Sequence, residues 1–378
     1  MNVLVVTDKL DMGGAENYFC KLENELAHPD IKFYFAAAKG ELYNNLQKKK
    51  RFTDLHRKNH LKNLWLLKEI IRENNIGVYH ANSLRMVLYG LILKSAMKSK
   101  LRIIYTKHNV TKLEKYLPLI FRFVLNRYVR SIITVSDFEK YQLIDLGIDS
   151  RKIVTIYNGV DLQQFTYQRK KNHPPKKVGI LARVSKEKNQ AFFLEVAEAC
   201  RHHTNLMFYI GGDGPDYQRI QRQIINMGIQ DRVKMLGAIH TPEEFIGNMD
   251  VLLVTSHREV FPMVILEAMA VGTPIVSINR GGINEAIESG KNGYLLDEHS
   301  KQDFRHKIEH LLSNDLKRLQ FIKVSRKKVE TAFSLQKMIR GTLEEYLVVL
   351  GEGVLHTNNR KMKKPSTGIR KQKGGAEQ

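Results

Sequence analysis

Short apolar runs rich in β-branched and aromatic residues alternate with stretches of 3.6-residue periodicity from one end of this chain to the other. That order predicts parallel sheets with helices on both faces. In the first half the strand-like runs are Val3–Thr7, Lys32–Ala37, Val78–Asn82, Arg102–Lys107, Ile132–Ser136 and Ile153–Tyr157. Helical patterns such as Ala15–Ala27, Leu61–Asn74 and Asp137–Leu146 lie between them. A polar, partly basic stretch with Pro174-Pro175, residues 162–177, interrupts the series and reads as a linker. A second series follows: Lys177–Leu181, Leu206–Ile210, Val233–Leu236, Val251–Thr255, Pro274–Ile278 and Gly293–Leu296.

The fold class predicted is therefore α/β, with two tandem Rossmann-like, doubly wound domains facing across a cleft. A length of 378 residues with 43% hydrophobic content supports two real cores. The divisions expected are a first domain over 1–161, the linker 162–177 and a second domain over 178–334. A last helix, 335–355, is expected to pack back across the domains, before a basic, disordered tail over 356–378. Ligands of such sheets bind at the carboxyl ends of the strands, so the two strand-end surfaces should face one another.

Two cysteines, Cys20 and Cys200, form no redox or metal motif, which fits a reducing compartment. The opening Met1–Thr7 reads as a strand rather than a secretory leader, and no apolar run reaches membrane-spanning length. A cytoplasmic location is expected. The net charge of +22 is uneven: residues 1–160 hold 27 Lys/Arg against 15 Asp/Glu, and residues 356–378 hold 7 against 1. Such a surface suits nucleic acid, anionic lipid or a phosphorylated substrate. The absence of helix-turn-helix, zinc-finger and RNP patterns argues against nucleic acid.

Two segments carry candidate chemistry. In Arg258-Glu259-Val260-Phe261-Pro262…Glu267 a strand end leads through Glu259 into a helix expected to start near Pro262. Free amides at that helix start suit a diphosphate, and Glu267, one and a half turns in, suits the two hydroxyls of a ribose. A capped helix with one buried, paired glutamate is the competing reading. In Leu181-Ala182-Arg183…Lys188 two cations sit in a strand-to-helix loop, able to neutralise a diphosphate. An ordinary solvated basic loop is the alternative there.

Together with Gly13-Gly14-Ala15-Glu16, Thr106-Lys107-His108-Asn109, Val135-Ser136, Asn158-Gly159-Val160-Asp161, Gly211-Gly212-Asp213-Gly214, Gly272-Thr273-Pro274 and Gly281-Gly282-Ile283-Asn284-Glu285, these segments resemble the retaining glycosyltransferases of family 4, which have the GT-B fold. The resemblance spans nearly the whole chain. It implies that Arg183 and Lys188, with Gly14 and the backbone of Val260 and Phe261, hold the donor diphosphate. It implies that Glu267 holds the ribose, that Glu259 contacts the donor sugar, and that His108 stands near the reacting centre. Gly13 and Asn158 are assigned to the acceptor-side loop or to structure, and Gly212-Asp213-Gly214 to structure.

The donor implied is a nucleotide sugar, commonly UDP-linked in the family, bound without a cofactor. No Asp-x-Asp triplet occurs, so no metal is expected. Val260-Phe261-Pro262 departs from the family's glycine-rich version, which leaves the donor sugar open. Residues 112–130 form a candidate amphipathic helix, with Leu117, Ile120, Phe121, Val124 and Tyr128 on one face. Lys112, Lys115, Arg122 and Arg130 are its candidate contacts to an anionic membrane. An ordinary core-facing helix is the alternative. The function expected is transfer of the sugar to a glycan or lipid-linked acceptor in cell-envelope synthesis, at the inner face of the membrane. The alternatives are a cytosolic transferase for a small soluble acceptor, a nucleotide-sugar epimerase, or a basic nucleic-acid-binding protein.

Overall fold

The computed structural model describes residues 1–168 and 174–351. The expected tail, 356–378, and the middle of the expected linker lie outside the described residues. The first half runs β1 (Asn2–Lys9), α1 (Gly14–Glu25), β2 (Lys32–Ala38), β3 (Phe52–Asp54), α2 (His60–Glu73), β4 (Val78–Ala81), α3 (Leu84–Ala96), β5 (Arg102–Lys107), α4 (Lys112–Tyr116), α5 (Pro118–Tyr128), β6 (Ser131–Thr134), α6 (Asp137–Asp145) and β7 (Ile153–Thr155). The second half runs β8 (Lys176–Leu181), α7 (Gln190–Ala199), β9 (Leu206–Gly211), α8 (Tyr217–Asn226), β10 (Val233–Gly237), α9 (Pro242–Gly247), β11 (Val251–Val254), α10 (Met263–Val271), β12 (Ile275–Ile278), α11 (Ile283–Ala286), β13 (Tyr294–Leu296), α12 (Lys301–Ser313), α13 (Asp315–Ala332) and α14 (Leu335–Leu350).

All named strand pairs are parallel, in the orders β3-β2-β1-β4-β5-β6-β7 and β10-β9-β8-β11-β12-β13. Each order reverses direction once, between β1 and β4 in the first sheet and between β8 and β11 in the second. A crevice opens at such a reversal because the flanking loops diverge to opposite faces. The interior strands β4, β6, β11 and β12 are buried at every position, as sheets covered by helices require. In β1, Val3 and Val5 pack with Phe19, Phe35 and Tyr346, while Leu4 and Val6 pack with Leu67, Tyr79 and Tyr105. Cys20 and Cys200 are buried free thiols, both pushed up to about 12 by burial.

Two sequence expectations need correction. The short edge strand β3 was not foreseen, because three residues carry no readable period. The helix expected over 112–130 is broken into α4 and α5 at Leu117, whose φ of −135° and ψ of 57° lie outside the helical region. Pro118 forces this, since its ring disfavours helical geometry in the residue before it. The expected apolar face also divides. Phe121 and Leu125 enter the core, whereas Leu119, Ile120 and Phe123 are exposed.

The chain crosses between the domains twice, and the crossings lie side by side. Val160 N–H donates to Phe333 O, and Leu335 N–H donates to Val160 O, both at 2.9 Å. After the second crossing α14 packs on the first domain through Leu335, Met338, Ile339, Tyr346 and Val349. His80 bridges the Tyr346 hydroxyl and the Thr106 hydroxyl, each at 2.6 Å, inside that contact. Among the described residues no helix is long and apolar enough to cross a membrane.

Gly159 is where the crossings touch: a Cβ there would stand 2.7 Å from Leu335 Cα and Ser334 O. Both neighbours are backbone and cannot swing away. Gly159→Val should therefore destabilise the protein by about 1–3 kcal/mol, the usual range for overpacking. Urea denaturation checks this, and an unchanged midpoint would show that the crossings can separate freely.

Candidate active site

The loops that flank both sheet reversals carry the residues singled out in the sequence. Gly13 and Gly14 follow β1, Arg183 and Lys188 follow β8, and Glu259 follows β11. His108 follows β5, next to β4 in the sheet. Gly14 has open space where a side chain would stand, and Gly13 is the extended N-cap of α1.

The loop after β8 is folded by its own polar groups. Gln190, almost fully buried, donates to Arg183 O (2.9 Å) and accepts from Ser185 N–H (3.2 Å). Asn189 adopts the left-handed conformation, which asparagine tolerates, and its side chain caps α7 by accepting from Phe192 N–H. From the next strand end, Thr255 Oγ1 donates to Lys188 O and Asn189 O at 3.0 and 3.1 Å. The Gly212-Asp213-Gly214 turn supports the same loop from below. A Cβ on Gly212 or Gly214 would lie 2.0 Å from Ala182 O or 2.3 Å from Val184 O. Arg183 itself is exposed and meets no acidic partner among the described residues.

Lys188 and Glu259 hold each other. Lys188 Nζ lies 2.7 Å from Glu259 Oε1, and Ser256 Oγ donates to that same oxygen at 2.6 Å. The Glu259 side chain is only 8% exposed, so the pair is poorly screened. Pro262 turns out to be the N-cap of α10 rather than its first helical residue. The amides of Val260 and Phe261, just before it, have no partner among the described residues. Val260 O accepts from Gly282 N–H at 2.8 Å. The Phe261 ring is packed between Tyr157 and Phe333, at centroid distances of 5.3 and 5.4 Å. Asn158 is buried and donates from Nδ2 to Phe261 O at 3.2 Å, which ties the first crossing to this turn.

Glu267 is half-buried on α10, and burial raises its carboxyl above the ordinary value, with Lys21 of α1 as the cation that offsets this. Lys21 Nζ also donates to Gly159 O at 2.8 Å. His108 stands edge-on to Tyr18, with ring centroids 4.7 Å apart, and its Nε2 is 3.4 Å from Asn82 Oδ1. Burial, with Lys107 beside it, pushes the His108 imidazole down to about 3. Ser256, Gln190 and Asn82 were not anticipated. Each is a small polar residue at a strand end or loop base, a pattern too common to stand out before the fold is known.

Away from the cleft, Lys112, Lys115, Arg122 and Arg130 are all exposed on or beside α4 and α5. Among the described residues the one grouping with metal-ligating atoms close together is His202, His203 and Glu309, on the second domain between α7 and α12. It does not involve the cleft.

Two family models match consecutive stretches: glycosyltransferase family 4 over residues 12–164 and glycosyl transferases group 1 over residues 163–328. The chain belongs to glycosyltransferase family 4. It is similar to N-acetyl-alpha-D-glucosaminyl L-malate synthase of Bacillus anthracis, with 26% identity over 60% of this chain and 63% of that protein. It is also similar to poly(ribitol-phosphate) alpha-N-acetylglucosaminyltransferase of Staphylococcus aureus, with 25% identity over 56% of this chain and 42% of that one. The match thus spans about half the length of these curated relatives. Among solved structures, Anabaena HepE in complex with UDP-glucose superimposes with a TM-score of 0.80 at 20% identity, over 91% of this chain and 100% of the other. That likeness establishes the GT-B fold for this family 4 chain.

The family 4 fold holds two neutral histidines, His80 and His108, both pushed down to about 3 by burial. In the unfolded chain each takes up a proton near pH ~6.5. Below that value the unfolded state binds more protons, so the stabilising effect is complete above it and is lost as pH falls toward 3. Stability by urea denaturation should therefore decline from pH 7.5 to pH 5, by up to about 1.4 kcal/mol per pH unit for each histidine. Ring-proton NMR should show neither histidine titrating in that range; a His108 midpoint near ~6.5 would show that its part-buried place beside Tyr18 does not hold it neutral.

Proposed function

We propose that this protein transfers a sugar, with retention of configuration, from a UDP-sugar held by its second domain to a hydroxyl acceptor presented at an anionic membrane surface. The observation that supports it most is the Lys188–Glu259 pair beside exposed Arg183 and the amides of Val260 and Phe261, which have no partner among the described residues, at the strand reversal of the second sheet. Anabaena HepE, of the same fold, was solved with UDP-glucose.

In this reading the donor diphosphate takes Lys188 away from Glu259 and is gripped by the Arg183 fork. Hydrogen bonds to charged groups contribute about 1.5–3 kcal/mol each. The start of α10 adds a favourable dipole. Glu267 accepts from the ribose hydroxyls, and Glu259, released by Lys188 and still held through Oε1 by Ser256, accepts from a donor-sugar hydroxyl. The bond from the anomeric carbon to the phosphate oxygen breaks with its electron pair going to UDP. The acceptor oxygen bonds to that carbon on the same face, and its proton passes to the departing phosphate oxygen. His108, neutral, hydrogen-bonds rather than carrying charge. The protein's part is positioning and stabilising the leaving charge, with no metal required.

The membrane part rests on α4 and α5. Tyr116, at the end of α4, and Leu119, Ile120 and Phe123, which form an apolar stripe on α5, are 50–70% exposed. Lys112, Lys115, Arg122 and Arg127 flank that stripe. Next to it lies a groove of about 780 Å³, lined in part by Ile92, Lys94, Lys98 and Tyr128. An apolar stripe edged by cations fits an anionic bilayer interface, where each basic residue adds about 1 kcal/mol.

Isothermal titration should show UDP binding without added metal, weakened about 10- to 100-fold by Arg183→Ala and comparably by Glu267→Ala. No binding of any nucleotide by the wild type would contradict the donor assignment. Vesicle flotation should show binding to anionic but not neutral vesicles, abolished in Leu119→Glu/Phe123→Glu. If the wild type ignores anionic vesicles, the acceptor is a soluble molecule instead.

A further inference from the structure

The charged side chains assigned to the donor all lie in the second domain, so some contact must set them at a fixed distance from His108 in the first. We propose that Glu285 is the positioning residue that does so; this rests on reading the cleft as a glycosyl-transfer site. Its carboxylate crosses to the other domain and accepts two backbone hydrogen bonds at the start of α6. Asp137 N–H donates to Oε2 at 2.8 Å, and Phe138 N–H donates to Oε1 at 2.7 Å. These are amides that helix geometry leaves without intrahelical partners, and an anion is favoured there. The Asp137 carboxylate is itself engaged by the hydroxyls of Thr155 and Tyr157. Its charge is thereby occupied close to where Glu285 docks.

Glu285 is fastened to the donor loop at its other end. It sits three residues past Gly282, whose N–H donates to Val260 O, and a Cβ on Gly282 would stand 2.7 Å from Ser136 Cβ. Gly281 has φ of +61°, and a Cβ there would lie 1.8 Å from Glu259 O. The Glu259–Val260 backbone, the Gly281-Gly282 turn and the start of α6 are thus in direct contact. On the far side, Glu139 in the first turn of α6 pairs with Lys107, which is fully buried and also lies 3.1 Å from Glu114. Lys107 is the neighbour of His108. The contacts run without a gap from Glu259 to His108, and Glu285 is the side chain in that series that spans the domains.

A residue in this place has a particular signature. Removing it leaves every donor contact intact but loosens the donor against the first domain. Glu285→Ala should lower kcat by about 10- to 100-fold, as small misplacements do, while UDP affinity stays within about twofold. Glu285→Gln keeps one acceptor oxygen but puts an amide against the second N–H, so its kcat should fall between the two. Nitroxide labels at exposed Tyr141→Cys and Lys291→Cys, read by double electron–electron resonance, should give a longer and broader interdomain distance in Glu285→Ala than in Glu285. Unchanged distances, or changed distances with unchanged kcat, would overturn the proposal. A wild type that binds no UDP would instead fail the donor reading, and the label distances would still decide whether Glu285 joins the domains.

Discussion

Val160 donates to Phe333 and accepts from Leu335, and at this point the chain's two passages between domains become a two-stranded strap. Much else in the cleft depends on it. The strap requires Gly159 for close approach, brings Tyr157 and Phe333 against Phe261, and places Asn158 where it can hold Phe261 O. It also delivers α14 back to the first sheet, where Tyr346 closes on His80. These contacts give the two domains a shared hinge beside the cleft.

On that frame the second domain carries an ion pair that resembles a spring latch. Lys188 and Glu259 satisfy one another at low exposure, and breaking such a pair without a replacement is unfavourable. In the proposed mechanism a diphosphate supplies the replacement for Lys188, and Ser256 keeps Glu259 in place when the lysine leaves. On that reading the pair favours a ligand that offers an anion to one partner and a donor to the other. A sugar diphosphate offers both.

The sheets were legible from the sequence because their strands are buried on both faces and read as continuous apolar runs between helical patterns. Of the candidate residues, Gly13, His108, Arg183, Lys188 and Glu259 lie in the strand-end loops where the sequence placed them, and Glu267 on the helix that follows. Three features were not legible. The split at Leu117–Pro118 was available from the proline, yet periodicity alone ran the helix through it. Which apolar stripe of α5 faces the core could not be read, since Phe121/Leu125 and Leu119/Ile120/Phe123 are equally apolar, and only the position of the sheet separates them. Lys107 with Glu114 and Glu139, and Glu285 with α6, join residues far apart in sequence. The first cluster appears only when the first domain folds, and the second only when the two domains are placed together.

The central claim, that Lys188 exchanges Glu259 for the donor diphosphate, is tested most directly by a crystal structure of the protein with UDP. Density for UDP is expected at the reversal of the second sheet, with Lys188 Nζ and Arg183 on phosphate oxygens, Glu259 retained by Ser256, and Glu267 on the ribose. UDP bound elsewhere, or bound there with the Lys188–Glu259 pair still closed, would contradict it.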